Sequence, residues 1–230
     1  QPYNASNTYD LTFDLSVADM FFTWTNGGTL CVLPEYEKLL PSEYINREDI
    51  RIWSSVPTII SFMNDMGALK PNAFPGIERS LFCGEALTKK LADAWHRAAP
   101  NSTLENLYGP TEATIWISRY EYKPKNHDGD FRNGIVPIGK PFPNHRFELI
   151  DSDGKMVKDS PGEIVYKGPQ VSSGYLNNPE KNTSTFVKFE WDASNDIWYK
   201  SGDLGILNNQ GDYEFIGRID NQIKFGGRRV

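Results

Sequence analysis

The chain has 230 residues, 39% hydrophobic and 13% aromatic, enough to bury the core of one large or two medium domains. Twenty-four basic against thirty acidic residues leave a net charge of −6 without a Lys/Arg stripe, which argues against nucleic acid and against an anionic membrane surface as partners. No apolar run reaches transmembrane length, no charged-then-apolar leader opens the chain, and Cys31, Cys83, His96, His127 and His145 have neither disulfide-framework nor metal-ligand spacing. No membrane insertion is therefore expected, and the cytoplasm is the expected compartment.

Residues 10–30 read as the end of a strand followed by a helix. Ser16 suits the N-cap with Asp19 in the first turn, Val17, Met20, Phe21 and Trp24 recur at helical spacing to form a buried face, and Gly27 can close the C-terminus. Asp14, set between Phe13 and Leu15, is oddly placed for a carboxylate unless something pairs with it or it caps the helix itself. Thr29 to Leu33 make a short apolar strand stopped by Pro34, and Ile50 to Ser54 make another. Pro57 suits the first turn of a helix carrying Ile59, Phe62, Met63 and Met66, a stripe that reads as core. Ser80 to Cys83 form a third apolar run ending in Gly84-Glu85. Thr88 then caps a helix with Leu91, Ala94, Trp95 and Ala98 that stops at Pro100. Strands alternating with helices predict an α/β fold with a mostly parallel sheet and flanking helices.

The next stretch, NLYGPTE at residues 106–112, places unlike chemical groups on one turn. Asn106 offers an amide that can pair with an adenine edge, Tyr108 a π-face, Thr111 a hydroxyl, and Glu112 a carboxylate suited to magnesium. Leu104 and Leu107 place it at the end of a buried strand, where nucleotide sites of α/β proteins lie, and Gly109-Pro110 forces the turn. Read without its companions, it is an ordinary Gly-Pro turn. After Tyr122 the texture changes to short strands separated by turn signals. This predicts an α/β subdomain over 1–125 and a β-rich, barrel-like subdomain over 126–230, with a strand–turn–strand at RFELID and GEIVYKG and a hairpin around Asn208 to Gly211.

Four further stretches accompany NLYGPTE in fixed order: FCGEAL before it, then GEIVYKGPQVSSGYL, YKSGDL and GRIDNQIKFGGRRV. Together they resemble the motifs of the adenylate-forming enzyme superfamily, within it the amino-acid-activating adenylation domains. FDLSVADMF and LFCGEAL look most like the branch that loads D-alanine onto a carrier protein. The resemblance implies that an amino-acid carboxylate attacks the α-phosphate of ATP, and that a carrier-protein phosphopantetheine thiol then takes the acyl group. It implies that Tyr108 lies against adenine at the Gly109 turn, that Asn106 and the backbone at Gly84-Glu85 read the adenine edge, that Thr111 touches phosphate, and that Glu112 holds Mg²⁺. Asp203 matches the carboxylate that grips the ribose hydroxyls, with Phe215, where the family often has Tyr, and Arg218 nearby. Read from the residues alone, Ser201-Gly202-Asp203 is an exposed-looking turn.

By the same matching, Asp14 binds the substrate's α-amino group. Leu15, Ala18, Leu81, Cys83, Leu107, Ile115 and Trp116 line its side-chain pocket, and Asp220 marks the hinge to a lid. The bulk of those lining residues points to a small amino acid: D-alanine first, then L-alanine, glycine or serine. The phosphate loop and the lid lysine that the family requires match nothing in the sequence, so the chain is expected to be an interior fragment, inactive alone. Two other readings share the motifs: an adenylation module of a nonribosomal peptide synthetase, and a catalytically dead nucleotide-binding descendant.

Overall fold

The computed structural model describes residues 2–38, 40–124 and 131–220, together with the strand backbone at 224–225 and 228–229. The chain divides into two compact units. The first comprises Gln1–Leu107, Glu121–Val136 and Lys224–Arg229, the second Tyr108–Tyr120, Pro137–Ile223 and Val230.

In the first unit β1 (Asn4–Asn7), β2 (Thr29–Val32), β3 (Ile50–Ser55), β4 (Arg79–Phe82) and β5 (Thr103–Tyr108) run parallel in the order β2-β1-β3-β4-β5. The connections carry α1 (Asp14–Thr25), α2 (Ser42–Arg47), α3 (Pro57–Asp65) and α4 (Lys89–Ala98). Thr88 caps α4 by accepting the Leu91 N–H at 3.3 Å, and Pro57 opens α3, both as their residue types predict. Two fully buried indoles anchor the core, Trp53 and Trp95, with ring centroids 5.9 Å apart. Their N–H groups donate to Ser55 Oγ at 3.0 Å and Ser80 Oγ at 2.7 Å, so neither donor is left unmatched inside.

The first helix departs from expectation. It begins at Asp14, and Ser16 is no cap: Ser16 lies buried inside the helix, its hydroxyl donating to the Phe13 carbonyl at 2.7 Å. The buried face is Leu15, Ser16, Asp19 and Thr23, whereas Val17, Phe21 and Trp24 are 42, 62 and 56% exposed. The reason lies in the neighbouring strand. β1 reads NASN and buries Ser6 and Asn7, so the helix turns polar and small side chains toward it. In α3 the expected stripe splits likewise, with Met63 fully buried and Ile59 half-buried but Phe62 and Met66 exposed, while Ile60, outside that stripe, is fully buried.

In the second unit β6 (Ser118–Tyr122) pairs antiparallel with β7 (Lys140–Pro141) through Ser118 and Arg119. A separate five-stranded antiparallel sheet, curled in half-barrel fashion, comprises β8 (Arg146–Ile150), β9 (Gly162–Lys167), β10 (Phe186–Val187), β11 (Trp198–Leu207) and β12 (Tyr213–Arg218). The hairpin β11–β12 turns at Asn208–Gly211 as expected, closed by the Asn208 N–H on Asp212 O at 2.9 Å. One helix, α5 (Pro179–Thr185), interrupts a region where only turns are expected, capped by Asn178. Tyr108, Phe147, Tyr166 and Tyr199 form an aromatic cluster with Ile138 and Ile164 in the core of this unit. No helix among the described residues is long and apolar enough to cross a membrane.

Lys167, at the end of β9, ties down the loop leading into β11. Its ammonium donates to Asp192 at 2.7 Å, Ser194 at 2.6 Å and Asp196 at 2.8 Å, while the Trp198 indole also donates to Asp192 at 2.7 Å. Lys167 holds both carboxyls below the usual carboxylate range. Stability from such depressed groups is fully present above their ordinary pKa of about 4 and is lost as pH falls through the folded values. Lys167→Met is therefore expected to lower the melting temperature at neutral pH and to flatten the decline of stability between about pH 5 and about pH 2. Melting curves across that window check this; a decline as steep as in the parent chain would contradict it.

Candidate active site

The second unit opens with Tyr108 and at once turns sharply. The loop after it closes through Ile117 N–H on Tyr108 O at 2.9 Å and Ala113 N–H on Pro110 O at 2.9 Å. A Cβ on Gly109 would stand 2.1 Å from the Ile115 carbonyl, so no other residue fits there. Thr114 and Ile115 both take positive φ, +54° and +82°, which for β-branched residues is a strained backbone. Residues 170–172 brace it: Gln170 Nε2 donates to the Thr114 and Trp116 carbonyls at 3.0 and 3.1 Å, and Ser172 N–H donates to Glu112 O at 2.8 Å. The Glu112 side chain is buried and accepts the Tyr175 hydroxyl at 2.6 Å, while Thr111 is exposed.

Asp203 lies across from this loop within the same unit. Its stretch is not the expected turn: Ser201, Gly202 and Asp203 belong to β11, at a shift of register against β9, with Gly202 at φ +70°. The Asp203 carboxylate, 5% exposed, accepts the Tyr108 hydroxyl on Oδ2 at 2.6 Å and Arg218 Nη1 on Oδ1 at 2.9 Å. Arg218 also donates to Ser201 O at 2.8 Å and clasps Asp220 through Nε at 2.9 Å and Nη2 at 2.6 Å. Burial, and then the Asp203 charge, push the Tyr108 phenol well up, so it stays a donor. A carboxylate accepts about four hydrogen bonds, and Asp203 receives these two from side chains. Phe215, on β12, packs half-buried against the aromatic cluster.

In the first unit Asp14 opens α1 half-buried, with Leu15 buried and Ala18 half-buried behind it. Leu81 in β4 and Cys83 just after it are buried, as are Asn106 and Leu107 in β5, and the Asn106 amide donates to Val136 O at 3.1 Å. Gly84 takes φ +92°, and Glu85 caps α3 by accepting Thr58 N–H at 3.0 Å. Ile115 and Trp116 are half-buried in the second unit. Gln170 and Tyr175, both within GPQVSSGYL, carry no role in the sequence pattern, because they act through bonds to backbone and to Glu112 that no spacing reveals. A cavity of about 900 Å³, lined by His145, Arg146, Lys167, Gly168 and Lys188 among others, holds none of the expected site residues.

Residues 5–176 match the family described as AMP-binding enzyme. The chain belongs to that family. It is 34% identical over 225 residues to a D-alanine--D-alanyl carrier protein ligase of Lacticaseibacillus rhamnosus, covering 95% of this chain and 43% of that protein. It is 35% identical to the protein of the same name from Streptococcus agalactiae, covering 95% of this chain and 42% of that one. Among solved structures, the Vibrio cholerae adenylation domain AlmE in complex with glycyl-adenosine-5'-phosphate matches at 36% identity and a TM-score of 0.91, over all of this chain and 43% of its own. The chain thus spans less than half the length of these relatives.

Tyr108→Phe leaves Asp203 Oδ2 buried without its donor, and a buried acceptor so orphaned costs about 1–3 kcal/mol. Chemical denaturation is expected to show a loss of that size. An unchanged unfolding free energy would mean that the bond between Tyr108 and Asp203 contributes nothing.

Proposed function

We propose that the protein containing this chain activates a small amino acid with ATP, forming an aminoacyl-adenylate and pyrophosphate, and passes the acyl group to a carrier-protein phosphopantetheine thiol. D-alanine is the first candidate. The observation that carries the reading is the buried Asp203 carboxylate, locked to Tyr108 and Arg218, in a chain of the AMP-binding family. An anionic diol acceptor with a spare pair of lone-pair sites beside an aromatic ring suits the ribose and adenine of a nucleotide. The identity to carrier-protein ligases supports the amino acid and the thiol acceptor.

In this reading the Asn106 amide and the backbone at Gly84-Glu85 read the adenine edge, and Tyr108 and Gly109 form its bed. Thr111, exposed on its loop, offers a hydroxyl to phosphate. Glu112 is the residue that would hold Mg²⁺, and its setting fits: a buried carboxylate oriented by the Tyr175 hydroxyl, with no convergence of three or more acidic, His or Cys side chains among the described residues. Magnesium takes one or two carboxylates and keeps substrate phosphates and waters as its other ligands. Bound there, the ion supplies charge against the phosphates. Asp14 takes the substrate ammonium, with Leu15, Ala18, Leu81, Cys83, Leu107, Ile115 and Trp116 around the side chain, and Asp220 is the hinge. Two cysteines outside any disulfide and the demand for ATP favour the cytoplasm.

Glycine is the second reading, favoured by the likeness to a structure solved with a glycyl-adenylate. Amino-acid-dependent pyrophosphate exchange by the full-length protein decides between them. Exchange is expected with D-alanine or glycine and not with phenylalanine; strong phenylalanine exchange would sink the small-pocket assignment. Asp14→Ala removes one partner of a buried ion pair, a loss of about 3–5 kcal/mol, so exchange should fall at least about a hundredfold while the melting temperature holds. Normal exchange by this variant would leave Asp14 a helix-terminal residue and nothing more.

A further inference from the structure

Tyr9 stands outside every role assigned above. β1 ends at Asn7, after which the Thr8 hydroxyl donates to Ser54 O at 2.9 Å and the Tyr9 N–H donates to Asn7 Oδ1 at 3.2 Å. These bonds carry Tyr9 over the C-terminal ends of β1, β3 and β4, the edge of a parallel sheet where ligands bind. The ring is half-buried, and its hydroxyl reaches inward to accept from Ser54 Oγ at 3.4 Å, Ser54 itself being 2% exposed.

The neighbours of that hydroxyl matter most. Burial pushes the Tyr9 phenol well up, and the charges of Asp19, Cys83 and Asp14 push it further. Asp19 is buried on α1 with Oδ2 unpartnered and with Ser54 beside its carboxyl. Cys83 is held at the same edge by its N–H on Ser55 O at 3.4 Å. Ser54 pairs in register with Leu81 of β4, and Cys83, two residues on, falls on the same face by alternation, so the Tyr9 ring, anchored at its far end by Ser54, stands at that edge five residues before Asp14.

We infer that Tyr9 is a specificity-determining residue, its ring limiting the amino-acid pocket beside Asp14 and Cys83 to substrates with no more than a methyl side chain. This rests on the proposed function. A polar strand end of the sequence NTYD then adds a further wall to the pocket proposed for Leu15, Leu81 and Cys83.

The test uses the full-length protein and pyrophosphate exchange with glycine, alanine and valine, the latter two in the enantiomer that the parent enzyme prefers. A hydrophobic pocket distinguishes single methylenes by roughly 10- to 200-fold. Tyr9→Ala is expected to raise kcat/KM for valine relative to alanine by at least about tenfold, while Tyr9→Phe, which keeps the ring, holds the ratio within about twofold. Tyr9→Trp is expected to cut alanine at least about tenfold relative to glycine, and it decides the matter if the alanine variant does not fold. An unchanged ratio in folded Tyr9→Ala, or equal loss of alanine and glycine in Tyr9→Trp, overturns this inference and leaves the proposed function standing. A parent enzyme that exchanges with no amino acid overturns both.

Discussion

The second unit depends on one buried charge. Asp203 has left water to sit at 5% exposure, and an ionised carboxylate does so only where donors replace the lost hydration. It receives one donor from a residue 95 positions earlier and another from a residue 15 positions later. The three stretches that meet there, the end of β5, the middle of β11 and the end of β12, are joined as well by sheet pairing, aromatic packing and the Arg218 bond to Ser201 O. Arg218 extends the network to Asp220, its guanidinium lying 2.7 Å from where a Cβ on Gly202 would project. Glycine at 202 is thus a requirement of the arginine's position as much as of the backbone's.

Polar groups also shape the first unit, where they override hydrophobic patterning. Parallel strands are usually apolar on both faces, yet β1 is NASN, and its neighbours supply partners for part of it: Ser6 Oγ accepts Ser54 N–H at 2.9 Å, and Asn4 donates to Glu48 O at 2.6 Å, while Asn7 Nδ2 on the strand and Asp19 Oδ2 and Thr23 Oγ1 on α1 are buried without a hydrogen bond. A polar strand in turn selects the polar face of α1. Serine serves this role repeatedly, with Ser55, Ser80 and Ser102 all buried and bonded around the two indoles.

This explains what could be read from the sequence. Features whose cause is local were legible: the Thr88 cap, Pro57 at a helix start, the Asn208 to Gly211 hairpin, and the alternation that gives the parallel sheet. The motif residues were legible as a set because their order along the chain is itself specific. The buried face of α1 was not, since it is decided by a strand whose composition looks like a loop, and Ser201-Gly202-Asp203 looked like a turn because its partners stand on other strands. The helix α5 is short and polar, with a Pro and an Asn cap as its only signals. Gln170 and Tyr175 act through bonds that span 54 to 63 residues, beyond the reach of any spacing argument.

The backbone at Thr114 and Ile115 has a consequence for how this loop can change. Left-handed geometry at a β-branched residue stores about 1–3 kcal/mol, held in place here by the Gln170 brace. Evolution toward greater thermostability would find an easy step at this point, because glycine at 115 would release the strain. That same step would free the loop to sample other shapes and dissolve the arrangement that presents Thr111 and Glu112. Robustness and competence therefore pull in opposite directions at Ile115, and the strained residue persists only where selection acts on the loop's shape rather than on the fold's endurance.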